Sequence, residues 1–338
     1  MNFNSLYRIS GRLHLAILLL TVACLTGCDT FLFGGQPSNT LQLGSGGLGA
    51  TQDSDNGGSN PPATASVDAS LLEQLSLERI NRARLRPAEE AAAGGIAIDE
   101  GIPGRLDATS KPAVAMNARL RQSAIVHSND MLDRDYFEHE TPEGVSPFQR
   151  IQTAGYVFLA AGENLAWRGT TGTLDPVRTV ESQHNDLFID VGIPGRGHRV
   201  TMLNAQLREV GISIIRGSFT RPSDGVVFTD SIMQTQDYGT STANTTFVLG
   251  VIYNDNNGNG QYDFGEGSAN STVSLQNITK RTNQAGGYSF EVGAAGTYTL
   301  RFASGQTLDL TIEIGDPNIK VDSVNGRPIV NLGLGLLN

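Results

Sequence analysis

The 338 residues carry a formal charge of −10, with 39% hydrophobic and 17% charged side chains and two cysteines. A chain this acidic is a poor partner for nucleic acid or for bare anionic membrane, and two thiols exclude a disulfide-dense scaffold. The length suits two compact domains and a tether.

Arg8 and Arg12 are the only charged side chains before Asp29, and Leu15 to Leu25 is almost wholly apolar. The run is too short to span a bilayer and reads as the apolar core of a secretion signal. It ends in Leu25-Thr26-Gly27-Cys28, which resembles the lipobox of bacterial lipoproteins. That resemblance implies a signal peptide over 1–28 and a diacylglyceryl group on Cys28, so the protein is expected to be exported and held to a membrane by lipid. Cys24 leaves with the signal, so no disulfide is expected. Loss of residues 1–27 removes two arginines and no acid, taking the charge from −10 to −12.

Residues 29–66 are rich in Gly, Ser, Asn, Thr and Pro and read as a flexible tether. Residues 67–240 mix helical and strand patterns. Leu71, Leu72, Leu75 and Leu77 to Ile80 open an amphipathic helix running toward Pro87. A second helix is predicted from Ala113 to about Arg134, with Met116, Leu120, Ala124, His127 and Met131 on one face, and a third over Asp175 to Ile189. Gly94 to Pro112 reads as a loop. Strands are expected around Val210–Ile215 and Val226–Met233, and helices on either side of a small sheet make an α-β-α sandwich.

Several segments in this order carry a resemblance. They are Ile80-Asn-Arg-Ala-Arg84, Ala124-Ile-Val-His-Ser-Asn-Asp-Met131, Tyr136-Phe-Glu-His139, Ser146-Pro-Phe-Gln-Arg-Ile151 with Ala154-Gly-Tyr156, Gly162-Glu-Asn-Leu-Ala166, Gly197-His-Arg199 and Arg208-Glu-Val-Gly-Ile212. Together they resemble bacterial members of the cysteine-rich secretory, antigen 5 and pathogenesis-related (CAP) superfamily. The resemblance implies an open cleft lined by two histidines and two acids. The motifs place the first histidine at His139, the first acid at Glu163 and the second histidine at His198. For the second acid, Asp186, Asp190 and Glu181 all compete, and His184 could itself face the cleft. Neutral imidazoles near a carboxylate can bind zinc or another divalent cation, or exchange protons near neutral pH. His127 falls on the packed stripe of its helix. No Gly-x-Ser-x-Gly, free thiol or His-Glu-x-x-His stands in the chain, so catalysis has little support.

From about Thr245 the pattern changes to short alternating strands with Gly- and Asn-rich turns, and residues 246–338 read as a β-sandwich. Strands are expected at Phe247–Tyr253, Thr272–Leu275, Tyr288–Val292, Thr297–Phe302 and Leu308–Ile314. Gly250–Asp255 and Asn283–Phe290 resemble repeat domains of bacterial surface adhesins and carboxypeptidase-regulatory-like modules. Between the first strands lies Asp255-Asn-Asn257-Gly-Asn259-Gly260-Gln261-Tyr-Asp263-Phe-Gly-Glu266. Asp255, Asn257, Asn259, Asp263 and Glu266 offer side-chain oxygens, Gln261 its carbonyl and Gly260 the sharp turn, in the spacing of an EF-hand calcium loop. The whole reads as an α+β protein: a CAP-like domain binding a lipid or cell-envelope ligand, beside a calcium-binding sandwich. A metal-assisted hydrolase and an adhesive surface component are the competing readings.

Overall fold

The computed structural model describes residues 67–331 apart from Asn244, together with the backbone of strand β1 (Leu32–Phe33). Cys28, the rest of the signal and the remainder of 29–66 lie outside the described residues.

Helix α1 (Ala69–Leu85) starts where the Asp68 carboxylate accepts the Ser70 amide at 2.9 Å. It stops one residue short of Pro87, which opens a second helix, α2 (Pro87–Ala93), that the periodicity did not separate. Each guanidinium nitrogen of buried Arg84 has a partner, the group donating to the carbonyls of Pro112, Met202, Asn204 and Leu207. Strand β2 (Ala115–Met116) precedes α3 (Ala118–Asp133). The predicted helix start at Ala113 is therefore corrected. The side chain of Asn117 caps α3 by accepting the Arg119 and Leu120 amides, and the residues before it pair in a sheet.

A capping box between Ser146 and Gln149 opens α4 (Pro147–Thr153), which leads to the long strand β3 (Phe158–Thr170). Then come α5 (Pro176–Ile189), capped by Asp175, a 3-10 turn over Pro194–Arg196, and α6 (Gly197–Met202). Strands β4 (Glu209–Thr220) and β5 (Val227–Ser241) complete a sheet of order β1-β3-β5-β4-β2, antiparallel except for β2 against β4. Helix α3 covers one face, while α1 and α5 pack on the other. Gly211 lets α3 sit directly on β4: a Cβ there would stand 2.0 Å from the backbone of Leu120 and Arg121. This is the α-β-α sandwich expected.

Directly after β5, from Thr246 on, the chain builds two facing sheets. β6 (Thr246–Tyr253), β7 (Thr272–Leu275), β8 (Ile278–Arg281), β9 (Gly287–Val292), β10 (Gly296–Phe302), β11 (Thr307–Ile312), β12 (Ile319–Val324) and β13 (Arg327–Asn331) form the orders β11-β10-β7-β8 and β13-β12-β6-β9. Val248, Leu275, Phe290, Leu300, Phe302, Ile312 and Val321 fill the space between them. Strand β12 escaped the alternation test because Lys320 and Asp322 are buried in it. Lys320 Nζ pairs with Glu78 Oε2 of α1 at 2.9 Å and with Asp322, an ion cluster at the seam between the two regions.

The sandwich is not a free bead on a string. Val251, Tyr253, Tyr262 and Ala285 belong to the same apolar core as Leu72, Leu75 and Ile80 of α1. Asn318 Nδ2 donates to the carbonyls of Ala113 and Arg208, and Arg208 reaches those of Gly315 and Asp316.

Candidate functional site

Strand β3 is the pivot of the site. Successive strand residues point to opposite faces, and Glu163 and Asn164 each hold one side of it. On one side, Glu163 Oε1 lies 2.8 Å from His139 Nδ1, and Glu163 Oε2 accepts Arg150 Nη2 at 2.5 Å. Arg150 also donates to the His139 carbonyl at 2.8 Å, so α4 and β3 fix the loop that carries the histidine. Burial alone would raise the Glu163 carboxyl. The His139 hydrogen bond and the Arg150 charge overcome it and hold the group at about 2.

On the other side, Asn164 Nδ2 donates to the backbone carbonyl of His198 at 3.1 Å. Asp190, in left-handed conformation at the end of α5 (φ 58°), decides the position of His198. Its Oδ1 lies 2.7 Å from His198 Nδ1, and its Oδ2 accepts the His198 and Arg199 amides at 2.9 and 3.3 Å. One carboxylate thus caps the start of α6 and orients the imidazole. Buried Arg199 anchors the same turn by donating to the carbonyls of Phe188, Ile189, Ile98 and Glu100.

Among the three candidate acids, Asp190 is therefore the one that meets a histidine. Asp186 forms an exposed pair with Arg168, and Glu181 pairs with Arg79. His184 is a correction. It is 1% exposed, its Nε2 lies 2.9 Å from Glu90 Oε1, and burial lowers its basicity. It serves the α2–α5 contact and joins neither His139 nor His198. His127 is buried as its helical stripe implied, with Nε2 3.0 Å from the Glu138 carbonyl, and burial lowers it to about 4. Ser128 shares a buried hydroxyl cluster with Ser213 and Thr235 and touches no histidine.

Beside His198 lies a trough of about 420 Å³, walled by Phe137, Leu165, Ala166, Trp167, Leu187 and Ile193 among others. Trp167 packs on Phe219 and Phe228 at centroid distances of 4.8 and 5.1 Å, and its Nε1 is buried without a partner among the described residues.

Three contributors were not assigned from sequence. Arg150 lay inside a quoted motif and was given no role. Asn164 follows Glu163. Asp237 sits on β5 opposite Glu163, fully buried, and its one sequence signal is an acid inside a strand.

In the second region, the loop from Asp255 to Glu266 folds back on itself. Asp255 accepts the amides of Gly258, Asn259 and Gly260, and Glu266 accepts those of Asn256 and Asp263, bringing the two ends together. Gly260 takes φ 73°, the left-handed turn this loop needs at that place. Asn257 and Asn259 turn their amide nitrogens onto Asp263 Oδ2, while Arg79 takes Asp263 Oδ1 at 2.7 Å and Arg82 takes Gln261 Oε1 at 2.6 Å. The loop is thus clasped to α1 through the side chains of Asp263 and Gln261.

Among the described residues no group of three or more His, Cys, Asp or Glu side chains could hold a metal ion. That does not suit a protein-held zinc at His139 and His198, each of which has its own carboxylate partner. It is less restrictive for calcium, whose shell here would draw on amide and carbonyl oxygens. No described helix is long and apolar enough to cross a membrane.

Residues 77–229 match the family model described as CAP, the cysteine-rich secretory protein family. The uncharacterized protein YkwD of Bacillus subtilis is 31% identical over 96 residues, which are 28% of this chain and 32% of that protein. The chain therefore spans about a third of the curated relative it matches. Among solved structures, an extracellular SCP-domain protein of Bacillus anthracis aligns over 51% of this chain and 41% of its own, at 20% identity and TM-score 0.34. An outer surface protein of Borrelia burgdorferi aligns over 52% and 97%, at 13% identity and TM-score 0.32.

Proposed function

We propose that this chain, whose residues 77–229 match the CAP family, is an exported surface protein, lipid-anchored at Cys28, that binds a lipid or other cell-envelope component beside His198. The observation that carries the reading is the trough of about 420 Å³, with apolar walls and an oriented imidazole at one end. The charge signs of signal and mature chain suit export, and the lipobox supplies the anchor. Calcium in the Asp255–Glu266 loop would be held by Asp255, Asn257, Asn259, Asp263, Glu266 and the Gln261 carbonyl, and would brace the sandwich against α1. Bound there, calcium supplies positive charge and rigidity; it takes no part at the histidines.

The chain's single tryptophan is Trp167, in the trough wall, so ligand entry can be read from intrinsic fluorescence. Titration with oleate, phosphatidylglycerol vesicles and soluble peptidoglycan fragments should shift its emission saturably for at least one of them. His198→Ala should weaken that binding. Emission unchanged by all three probes would overturn the reading.

A further inference from the structure

Strand β12 places a lysine where almost no water reaches it. Ile319 and Val321 turn into the core of the sandwich, so Lys320 and Asp322 turn the other way, toward α1. Lys320 is 3% exposed, and its Nζ meets Glu78 Oε2 at 2.9 Å and the Asp322 carboxylate. Asp322 is itself fixed, since its Oδ1 accepts the Val251 amide at 2.9 Å. Its Oδ2 accepts Nδ2 of Asn331 at 2.8 Å.

Asn331, the last residue of β13, stands directly across the antiparallel ladder from Lys320. Such partners project from the same face, with Cβ atoms about 5 Å apart. One carboxylate thus holds an amine on one oxygen and a carboxamide on the other, and the carboxamide carbon lies within a lysine's reach. Glu78, Lys320, Asp322 and Asn331 all line one small cavity of about 90 Å³. Two anions already satisfy the lysine charge. The carboxamide adds an electrophilic carbon beside it.

We infer that Lys320 and Asn331 become joined by an isopeptide bond between Nζ and Cγ, with Glu78 and Asp322 as the proton carriers. Nζ gives one proton to Glu78 and attacks Cγ. Asp322 carries a second proton from Nζ to Nδ2, the Cγ–Nδ2 bond breaks, and ammonia leaves, taking the Glu78 proton as ammonium. The third proton stays on the new amide. No atom is oxidised or reduced. Burial favours the first transfer, because one proton passed from Nζ to Glu78 removes two buried charges at once. Burial also raises Glu78 itself, against the Lys320 charge. Burial lowers Lys320, but the Asp322 and Glu78 charges outweigh it and push the amine up, so the free amine is the minor form and sets the pace of closure. The chain's two cysteines stand at positions 24 and 28, so the sandwich has no disulfide. Among the described residues β13 is an edge strand whose one neighbour is β12, and the bond would keep its far end from peeling away.

The test is peptide mass spectrometry on the full chain, held folded at pH 8 for several days and then denatured and digested. Trypsin cuts after Lys320 but not after Arg327, because Pro328 follows. An unmodified chain gives peptides 302–320 and 321–338. The bond gives a single peptide, 302–338, lacking about 17 Da, the mass of one ammonia. Asp-N cuts between the two residues, before Asp322, and should leave the halves joined. Glu78→Gln and Asn331→Ala should each restore the full mass and cleavage after Lys320. If Glu78→Gln does not fold, Asn331→Ala, at the half-buried end of an edge strand, still decides. A bond that persists in folded Glu78→Gln would overturn the role given to Glu78. Full mass with Lys320 cleaved in the wild type would overturn the bond and leave an ion cluster. Loss of ammonia with Lys320 still cleaved would place the loss at a succinimide of Asn325-Gly326, and would also overturn the bond.

Discussion

Glu163 of β3 and Asp237 of β5 stand directly opposite each other in the antiparallel ladder, both buried, yet their surroundings push the two carboxyls in opposite directions. Burial raises Asp237 well above the usual carboxylate range, and the Glu163 charge adds to the effect. Arg150 and His139 are spent on Glu163, which keeps it ionised. Neither oxygen of Asp237 has a well-formed hydrogen bond among the described residues, although Ser123 and Glu163 are close enough to act on it. The site thus sets an acid whose carboxyl is pushed up directly behind the carboxylate that orients His139.

The two acids should therefore give opposite pH dependences. Asp237 favours folding below about pH 4, and that contribution is lost as pH rises toward its raised folded value. Asp237→Asn should match the wild type near pH 4 and become increasingly more stable than it toward pH 8. Glu163 contributes above about pH 4.5 and loses its contribution as pH falls toward about 2. Glu163→Gln should cost about 3–5 kcal/mol at pH 7, because it strands Arg150, with the penalty shrinking in acid. Denaturant melts at four pH values read both. Parallel slopes for the two variants would contradict the assignment.

Arg79 is buried at the seam and bridges Glu181 and Asp263 while donating to the Tyr262 carbonyl at 2.8 Å. Its removal leaves the Tyr262 carbonyl without its donor and two part-exposed carboxylates without their cation. Arg79→Ala should cost about 2–4 kcal/mol and split one calorimetric transition into two. A single transition with unchanged midpoint would show the seam to be held by the Lys320 cluster and apolar packing alone.

Calcium should raise the melting temperature of the full chain. Three acidic ligands suit a Kd of about 0.1–1 mM, so about 10 mM calcium should add roughly 1.5–3 kcal/mol. Glu266→Gln should remove most of the gain. Because Arg79 holds Asp263, Arg79→Ala should also alter calcium affinity. Identical melts with calcium and with chelator would leave the loop a hydrogen-bonded hairpin.

Anchoring is tested at Cys28. Cys28→Ser should move the protein from the detergent phase to the aqueous phase in Triton X-114 partitioning, or leave the signal uncleaved. Unchanged partitioning would refute the lipid.

Local pattern was enough for much of this protein. The Asp68 and Asp175 caps, the proline after Arg86, the alternation of Tyr298, Leu300 and Phe302, and the glycine at position 260 each act within a few residues of themselves. The long helices, several strands and the α+β class followed, as did the ordered motifs bearing His139, Glu163 and His198, while α2 and β12 did not. Which groups meet was a matter of tertiary packing. Asp186, Asp190 and Glu181 are equivalent as sequence, and only the left-handed turn ending α5 aims Asp190 at His198. His184 has the composition of a site residue, but α2 brings Glu90 against it from 94 residues away. Lys320 and Asp322 read as surface charges, yet β12 buries them because Glu78 waits on α1. Periodicity reports the face on which a side chain lies, and only the assembled layers decide what that face meets.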